Sequence, residues 1–599
     1  MRLHTRYYQL EYKNAAVRWI KSGSIEVIRM IYSAVRDHNW ETIEPHIMDE
    51  KIVQNDNGFE IWTCVKYHHN NIHFLAEYII TGKDNMLEFE LNGQAQSSFT
   101  TCRIGFCVLH PLKECSGKRC KVIHPDNSIE TILFPKNISA NQPMLNISGM
   151  KWEPGCNTTA RLDFEGEIFE MEDQRNWTDA SYKTYCRPLN LPFPYDILKG
   201  ENIHQKVVLK IAGNEQLKQE SPKFITFNID KNRIFKIPEF GICNASREEP
   251  LTAFESLLLK KIPLSHLRCE IKLYETNWNL SLASAITNAD RLNLPFFFVL
   301  YHSKEWKAEL SIFFKASRDI FLKVSHILIV GENHMTDYSV FEAAYPMLKN
   351  RFPSAKIGTG VNAYFAELNR DRQFSTKPDF VNFTISPQVH AFDNDSLVEN
   401  LEGQKFVVES AKLYFPGKSI YVSPVTLKQR FNVVATEEEP SLQAKDLPQQ
   451  VDFRQSSVFA AKWLIGSIKF LSQAGADLIT YFESVGWKGF IQGDFNPPLP
   501  KKFPGRIGDV FPVYTIFKEI CGFDKIIFSE CNSPLEIDGL VLLNKNKIKA
   551  ILSNFTDSPK TVAFKGVTFK TCETFLSGKI SSINNELEIP AKELVILRN

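Results

Sequence analysis

The sequence predicts a multidomain α/β protein, a central (β/α)8 TIM barrel flanked by an N-terminal β-sandwich and a small C-terminal β-sandwich domain. Between Pro238 and Phe523 a short apolar run recurs eight times, and segments with apolar residues at i, i+3, i+4 spacing separate the repeats. Before residue 225 and after residue 525 the pattern changes to alternating runs joined by Asn, Asp and Gly turns. A chain of 599 residues also exceeds what one hydrophobic core organises. The domains therefore read as 1–225, 233–524 and 525–599.

The N-terminal domain is read from strands. "SIEVIRMIYSAVRD" is rich in β-branched residues, and "GFEIWTCVKYHHNNIHFLAEYIITGKDNMLEFELNGQ" alternates over three runs broken by turn residues. "RIGFCVLHP" is a strand stopped by proline, and "IHQKVVLKIAG" closes the region. One stretch stands apart. Gly166–Tyr185 packs Glu170, Glu172, Asp173, Arg175, Asp179 and Lys183 among Phe169, Trp177, Tyr182 and Tyr185. Charges interleaved with rings suit a carbohydrate-like ligand at the barrel mouth, with Asp173 and Arg175 as binding groups, and equally suit a salt-bridged packing surface.

The barrel strands read as "PEFGICN", "LRCEIKL", "FFFVLYH", "HILIVGEN", "KIGTGVN", the start of "PDFVNFTISPQVHAFD", "SIYVSPVT" and "LITYFES". Helices are predicted in "LTAFESLLLKK", "VFEAAYPMLKN", "SSVFAAKWLIGSIKFLSQAG" and "PVYTIFKEI". A doubly wound open sheet would need a glycine-rich phosphate turn after its first strand, and "GICNASREE" supplies none. About twenty-five residues follow the seventh strand, "RFNVVATEEEPSLQAKDLPQQVDFR", and a loop of that length predicts a lid or binding loop. The tail, with "LEIDGLVLLN", "IKAILSNF", "KTVAFKGVTF" and "ELEIPAKELVILRN", alternates as a third β domain.

Composition narrows the function. Net charge is +1, hydrophobic residues make up 43% and charged residues 23%, with no basic block, which argues against nucleic acid or an anionic membrane surface. No segment is apolar and long enough to span a bilayer, and no signal-type leader is read at the start, so a cytoplasmic location is expected. The twelve cysteines form no CxxC pair; free thiols are expected, with Cys115 and Cys120 close enough in sequence to be bridged. The oligomeric state is not readable from the chain.

Barrel enzymes place working groups at the C-terminal ends of their strands. Those ends offer Glu332 and Asn333 after strand four, Asn362 and Tyr364 after strand five, and Gln388, His390 and Asp393 after strand six. Strand eight offers Tyr481 and Glu483, with Trp487 just beyond, and strand two carries Arg268. Two carboxylates and a histidine at one mouth make an acid–base site, so Glu332, Glu483 and His390 are the catalytic candidates. Glu332 could instead cap a helix, and His390 could be a satisfied polar group. The many barrel glycosidases with carboxylates after strands four and seven are matched only at Glu332, since strand seven ends in "VSPVT". No HxH pair, ligand spacing or G-x-S-x-G elbow is present, so no metal and no cofactor are expected.

The strings "FEMEDQRNWTDASYKTY", "GTGVNAYFAELNR", "ISPQVHAFDNDSLVE", "VSPVTLKQRFN" and "YFESVGWKG", with "VRDHNWET" and "RIGFCVLHP", resemble those of the D-apionate lactonase family. The resemblance spans the N-terminal domain and the barrel, and the tail more loosely. It implies a carboxylic ester hydrolase that opens D-apionolactone to D-apionate in apiose catabolism, with a small sugar lactone as its partner. Lactone opening needs a base for water, donors for the oxyanion and an acid for the ring oxygen. Glu332 or Glu483 could be the base and the other the acid, with His390, Asn333 or Arg268 facing the oxyanion. An atypical glycoside hydrolase and a non-catalytic carbohydrate-binding protein are the alternative readings.

Overall fold

A computed structural model describes residues 1–155, 157–213, 224–247, 249–373, 375–433, 446–584 and 586–599. The chain forms two compact units. One comprises Met1–Arg175, Ala180–Lys223 and Asn432–Pro440; the other comprises Asn176–Asp179, Phe224–Phe431 and Ser441–Asn599.

The first unit holds an eight-stranded and a nine-stranded sheet plus a two-stranded ribbon. Its hairpins follow the predicted alternation: Ile72–Lys83 buries every second residue, as a strand with one face on a core must. Phe169–Asp173 and Ser181–Cys186 are buried on both faces. Their charges are paired across the register, Glu172 opposite Lys183 with an ion pair between them. The Tyr185 hydroxyl donates to Glu170.

The second unit contains the barrel. Its strands are β1 (Glu239–Cys243), β2 (His266–Lys272), β3 (Phe296–His302), β4 (Val324–Gly331), β5 (Lys356–Tyr364), β6 (Phe380–Ile385), β7 (Ser419–Val425) and β8 (Leu478–Val485). Each pairs in parallel with the next, and β8 pairs in parallel with β1, which closes the barrel. Phe297, Val299, Tyr301, Leu328, Val330, Phe380, Tyr421 and Leu478 fill its interior. Local chemistry sets the helices. Thr252 and Glu255 form a capping box on Ala253–Leu259, satisfying end N–H groups reciprocally. Ser457 caps Val458–Ala474, and Gly475 ends that helix at φ 81°, a left-handed position suited to glycine.

The C-terminal sheet has nine strands, and one of them comes from elsewhere in the sequence. Ile225–Lys236 pairs antiparallel with Lys525–Cys531 and parallel with Lys560–Lys565. The expected boundaries split this strand between the N-terminal domain and the barrel. It is amphipathic at period two, which marks it as a strand but does not name its partners. Phe227, Val541, Leu552, Val562 and Leu597 share its core. All eleven described cysteines are free, Cys115 and Cys120 among them. The centre of the loop after β7, residues 434–445, lies outside the described residues, and with it the expected lid.

Candidate active site

The site begins on β2. Register places Arg268, Glu270 and Lys272 beside Phe297, Val299 and Tyr301 of β3, and those three β3 residues face the barrel interior. The same face of β2 therefore carries three charges inward, rising towards the C-terminal mouth. Arg268 is 2% exposed and donates to Glu270 at 2.6 Å. Arg430, from the segment after β7, donates to the same Glu270 oxygen. Burial alone would push the Glu270 carboxyl up. The Arg430 and Arg268 guanidiniums outweigh it, joined by hydrogen bonding from Asn362 and Arg268, and hold Glu270 well below the usual carboxylate range.

The same two arginines also donate to Oδ1 of Asn362 on β5, each at 2.6 Å. Asn362 Nδ2 in turn donates to the Tyr301 hydroxyl of β3. That hydroxyl lies 2.9 Å from Nδ1 of His334, in the turn just after β4. The His334 ring stacks on Phe431 with centroids 4.0 Å apart. Burial first, and then Arg430, push the imidazole down to about 4 against the opposing pull of Glu270. Gly360, two residues before Asn362, sits at φ 122°, where an added Cβ would strike the Asn382 carbonyl oxygen at 2.2 Å. That close approach seats β5 against β6.

The other wall belongs to β8 and β1. Glu483 accepts from the Ser246 backbone N–H at 3.0 Å, from Ser246 Oγ at 2.6 Å and from Lys488 Nζ at 2.8 Å. Its side chain is 17% exposed. Phe482, just before it, is held at φ 50°, a strained setting for an aromatic residue of the kind that clusters at functional sites. Cys243 is in register with both Arg268 and Glu483, so three adjacent strands bring these groups together. They line a cavity of about 970 Å³, within the range of small-molecule sites, together with Glu270, His334, Lys428, Arg430, Asp452 and Trp487.

Of the residues read from the sequence, Arg268, Glu483 and Trp487 line this cavity, and Asn362 braces it. Glu332 and Asn333 do not line it. Both are exposed in the turn after β4, where Asn333 Oδ1 accepts from the Met335 N–H. The turn carries the chain past them and presents His334 instead. His390 pairs with Asp179 at 2.7 Å and packs edge-on against Trp177, outside the cavity lining. Gln388 is buried and tied to Leu427, Asp452 and Arg454. Asp393 caps Asn394–Glu399 by accepting from Ser396. Tyr364 is core, and the Tyr481 hydroxyl meets Ser467 in the packing behind β8. Asp173 and Arg175 pair with each other within the N-terminal unit, and the Arg175 guanidinium also donates to the Pro135 and Lys136 carbonyls, a structural latch. The sequence reading missed Glu270, Tyr301, His334 and Arg430. Its available signal was in "LRCEIKL", where charges recur at every second position of a strand expected to be apolar on both faces.

Among the described residues one trio, Asp37, Glu41 and His69, brings potential metal-ligand atoms within 4.8 Å of one another. It lies in the N-terminal unit, where Asp37 Oδ1 already accepts from the N–H groups of Asn39 and Glu41 as a turn cap. No helix among the described residues is long and apolar enough to cross a membrane.

Residues 2–214 match the family model of the D-apionate lactonase N-terminal domain, and residues 240–525 match that of its TIM barrel domain. The chain belongs to the D-apionate lactonase family. A D-apionate lactonase of Brucella anthropi is 27% identical over 584 residues, 92% of each chain. Lactonase activity, the hydrolytic opening of a cyclic ester, is the function of the family. Solved structures share less. A conserved exported protein from Bacteroides fragilis is 12% identical, with a TM-score of 0.41 over 62% of this chain and all of that one. A glycoside hydrolase family 30 xylanase from Clostridium acetobutylicum is also 12% identical, with a TM-score of 0.42 over 62% of this chain and 99% of its own. In this D-apionate lactonase family member, every residue lining the cavity lies within the barrel domain.

Proposed function

We propose that the protein opens a sugar-acid lactone, D-apionolactone to D-apionate, at the mouth of the barrel. The observation that carries this reading is the convergence of Glu483, Arg268, Arg430 and Glu270 on one cavity of small-molecule size. Glu483 is the proton-transfer group. Its oxygens keep lone-pair capacity beyond the Ser246 and Lys488 bonds, so it can take a proton from an attacking water. The water oxygen adds to the lactone carbonyl and the carbonyl pair moves onto oxygen. The intermediate then collapses with release of the ring oxygen, which takes the proton from the Glu483 carboxylic acid. One carboxyl thus serves in turn as base and acid, and the products are a hydroxyl and a carboxylic acid, which ionises to the carboxylate by losing its proton to solvent. The Arg268–Glu270–Arg430 cluster supplies a fixed electropositive floor where negative charge grows, at no cost of reorganisation. The reaction as written needs no metal ion.

The test is release of acid from D-apionolactone and from a panel of five-membered aldonolactones, with aryl glycosides as controls, before and after exhaustive chelation. Acid release from the branched lactone in preference to the others, insensitive to chelation, supports the reading. Turnover of glycosides alone, or of no substrate, would overturn the function; loss on chelation that zinc or calcium restores would overturn the metal-free step.

A further inference from the structure

We infer that His334 donates from a neutral imidazole, through Nε2–H, to the lactone carbonyl, and that Asn362 and Tyr301 are positioning residues that hold it in that tautomer. The inference rests on the lactonase reading and adds to it an electrophilic group and the two residues that orient it.

The direction of each hydrogen bond follows from donor and acceptor inventory. Arg268 and Arg430 carry only donors, and both point at one atom of the Asn362 amide. That atom must be the oxygen, because a flipped amide would set an NH2 group against two cationic donors. The Asn362 NH2 therefore faces the Tyr301 hydroxyl and donates to it. Tyr301 has one proton to give, and its remaining partner among the described residues is Nδ1 of His334. Were Nδ1 protonated, the hydroxyl would receive two donors and find no acceptor among the described residues for its own proton, a cost that the opposite arrangement avoids. Nδ1 is thus the acceptor and the ring proton sits on Nε2. That nitrogen meets no hydrogen-bond partner among the described residues, and His334 lines the cavity. Arg430, Glu270 and Lys272 are the charges facing the ring; burial and Arg430 prevail, so the imidazole stays uncharged at neutral pH. A neutral N–H in a fixed orientation can polarise a carbonyl as charge develops, without offering a proton that could be lost to solvent.

The experiment is two-bond 1H–15N correlation on the full chain labelled in its histidines, with the His334 signals assigned by their loss in His334→Asn. Asparagine tolerates the left-handed φ of 65° found there. In the wild type at pH 7.5, Nδ1 should read as the unprotonated nitrogen and Nε2 as the protonated one. Asn362→Asp keeps both arginine bonds but offers Tyr301 an acceptor in place of a donor; the hydroxyl should turn away and the tautomer should shift to Nδ1–H. With that shift kcat should fall by ~10²-fold or more while KM moves little, the size expected for one lost oxyanion donor. Should Asn362→Asp not fold, Tyr301→Phe removes the donor to Nδ1, and the single fixed tautomer should give way to a mixture of Nε2–H and Nδ1–H forms; a tautomer unchanged from the wild type would show that Tyr301 does not set it. An imidazolium or an Nδ1–H tautomer in the wild type would overturn the inference whether or not any lactone is turned over. His334→Asn with unchanged kcat would overturn the role while leaving the Glu483 chemistry to its own assay.

Discussion

Asn362 reaches His334 twice. Its backbone N–H donates to the His334 carbonyl at 2.8 Å, and its side chain meets the imidazole through the Tyr301 hydroxyl. The backbone bond holds the turn after β4 against β5, and the side-chain route holds the ring. A residue on a barrel strand thereby dictates the geometry of a residue on a loop, a general way of making a loop-borne group as exact in position as a strand-borne one.

Glu483→Gln should lower kcat/KM by ~10²–10⁴-fold with the fold intact, because the amide keeps the shape and cannot take the water proton. Glu332→Gln should stay near wild type, since Glu332 is exposed outside the cavity lining. Steady-state kinetics on both variants, with circular dichroism to confirm folding, decide between the two carboxylates. Equal losses would place the proton transfer on a wider network than the cavity lining shows.

Glu270→Gln removes the carboxylate between two guanidiniums, one of them fully buried. The Glu270 carboxyl is held low in the folded protein, so its contribution is fully present above the unfolded value near 4.5 and is lost as pH falls below it. The wild type should therefore out-stabilise the variant by a constant margin from pH 8 down to about 5, and the margin should shrink in more acidic buffer. The side chain is 30% exposed, which screens the pair and keeps the expected margin to about 1–2 kcal/mol. Denaturant midpoints measured across pH would show it; a margin that grows towards acid would contradict the ion-pair account.

The barrel was legible because parallel strands buried on both faces read as short apolar runs, and all eight read starts lie within two residues of the observed ones. The cavity was legible where barrel strands carry its lining directly, as with Glu483 and Arg268, and its brace Asn362. It was not legible where topology does the work. Glu332 and His334 are two residues apart in one turn, and only the turn's backbone, left-handed at His334, decides which faces the cavity. Arg430 lies five residues past β7, in a segment with no periodicity to orient it. His390 looked catalytic because its polar neighbours in sequence were visible, whereas its actual partner, Asp179, is over two hundred residues away.

Lys469 and Asp538 test how the C-terminal sheet is fastened. Lys469 lies on the helix Val458–Ala474, Asp538 on the strand Ile537–Asn544, and their side chains are 3% and 2% exposed. Removing one member leaves the other charge buried without compensation. Lys469→Met should cost about 3–5 kcal/mol. The double variant Lys469→Met, Asp538→Leu should recover most of that, because the desolvation penalty disappears with both charges. Urea unfolding of the two variants measures this; a double variant as unstable as the single one would mean the pair contributes net stability.

Glu367 makes the opposite pH prediction to Glu270. It lies on Phe365–Arg370, is 8% exposed, and its Oε2 has no hydrogen-bond partner among the described residues. Burial pushes its carboxyl up to about 7, against weaker opposition from local backbone N–H groups and Arg370. Between about 4.5 and 7 the folded chain keeps a proton that the unfolded chain has lost. The associated stability is thus fully present below the unfolded value and is lost as pH rises through about 7. Above pH 7 the folded protein carries a buried, under-compensated charge worth about 3 kcal/mol against it. Glu367→Gln replaces that charge with a neutral amide of the same shape. The variant should be the more stable protein at pH 8.5, by up to that amount, and the advantage should fade to nothing near pH 5, where the wild-type carboxyl is protonated. Thermal midpoints at matched scan rates for both proteins, taken from pH 5 to 8.5, supply the comparison. A variant less stable than wild type at pH 8.5 would show that the ionised carboxylate is compensated by a group that the amide cannot satisfy, and would mark the end of β5 as a second polar centre of the barrel.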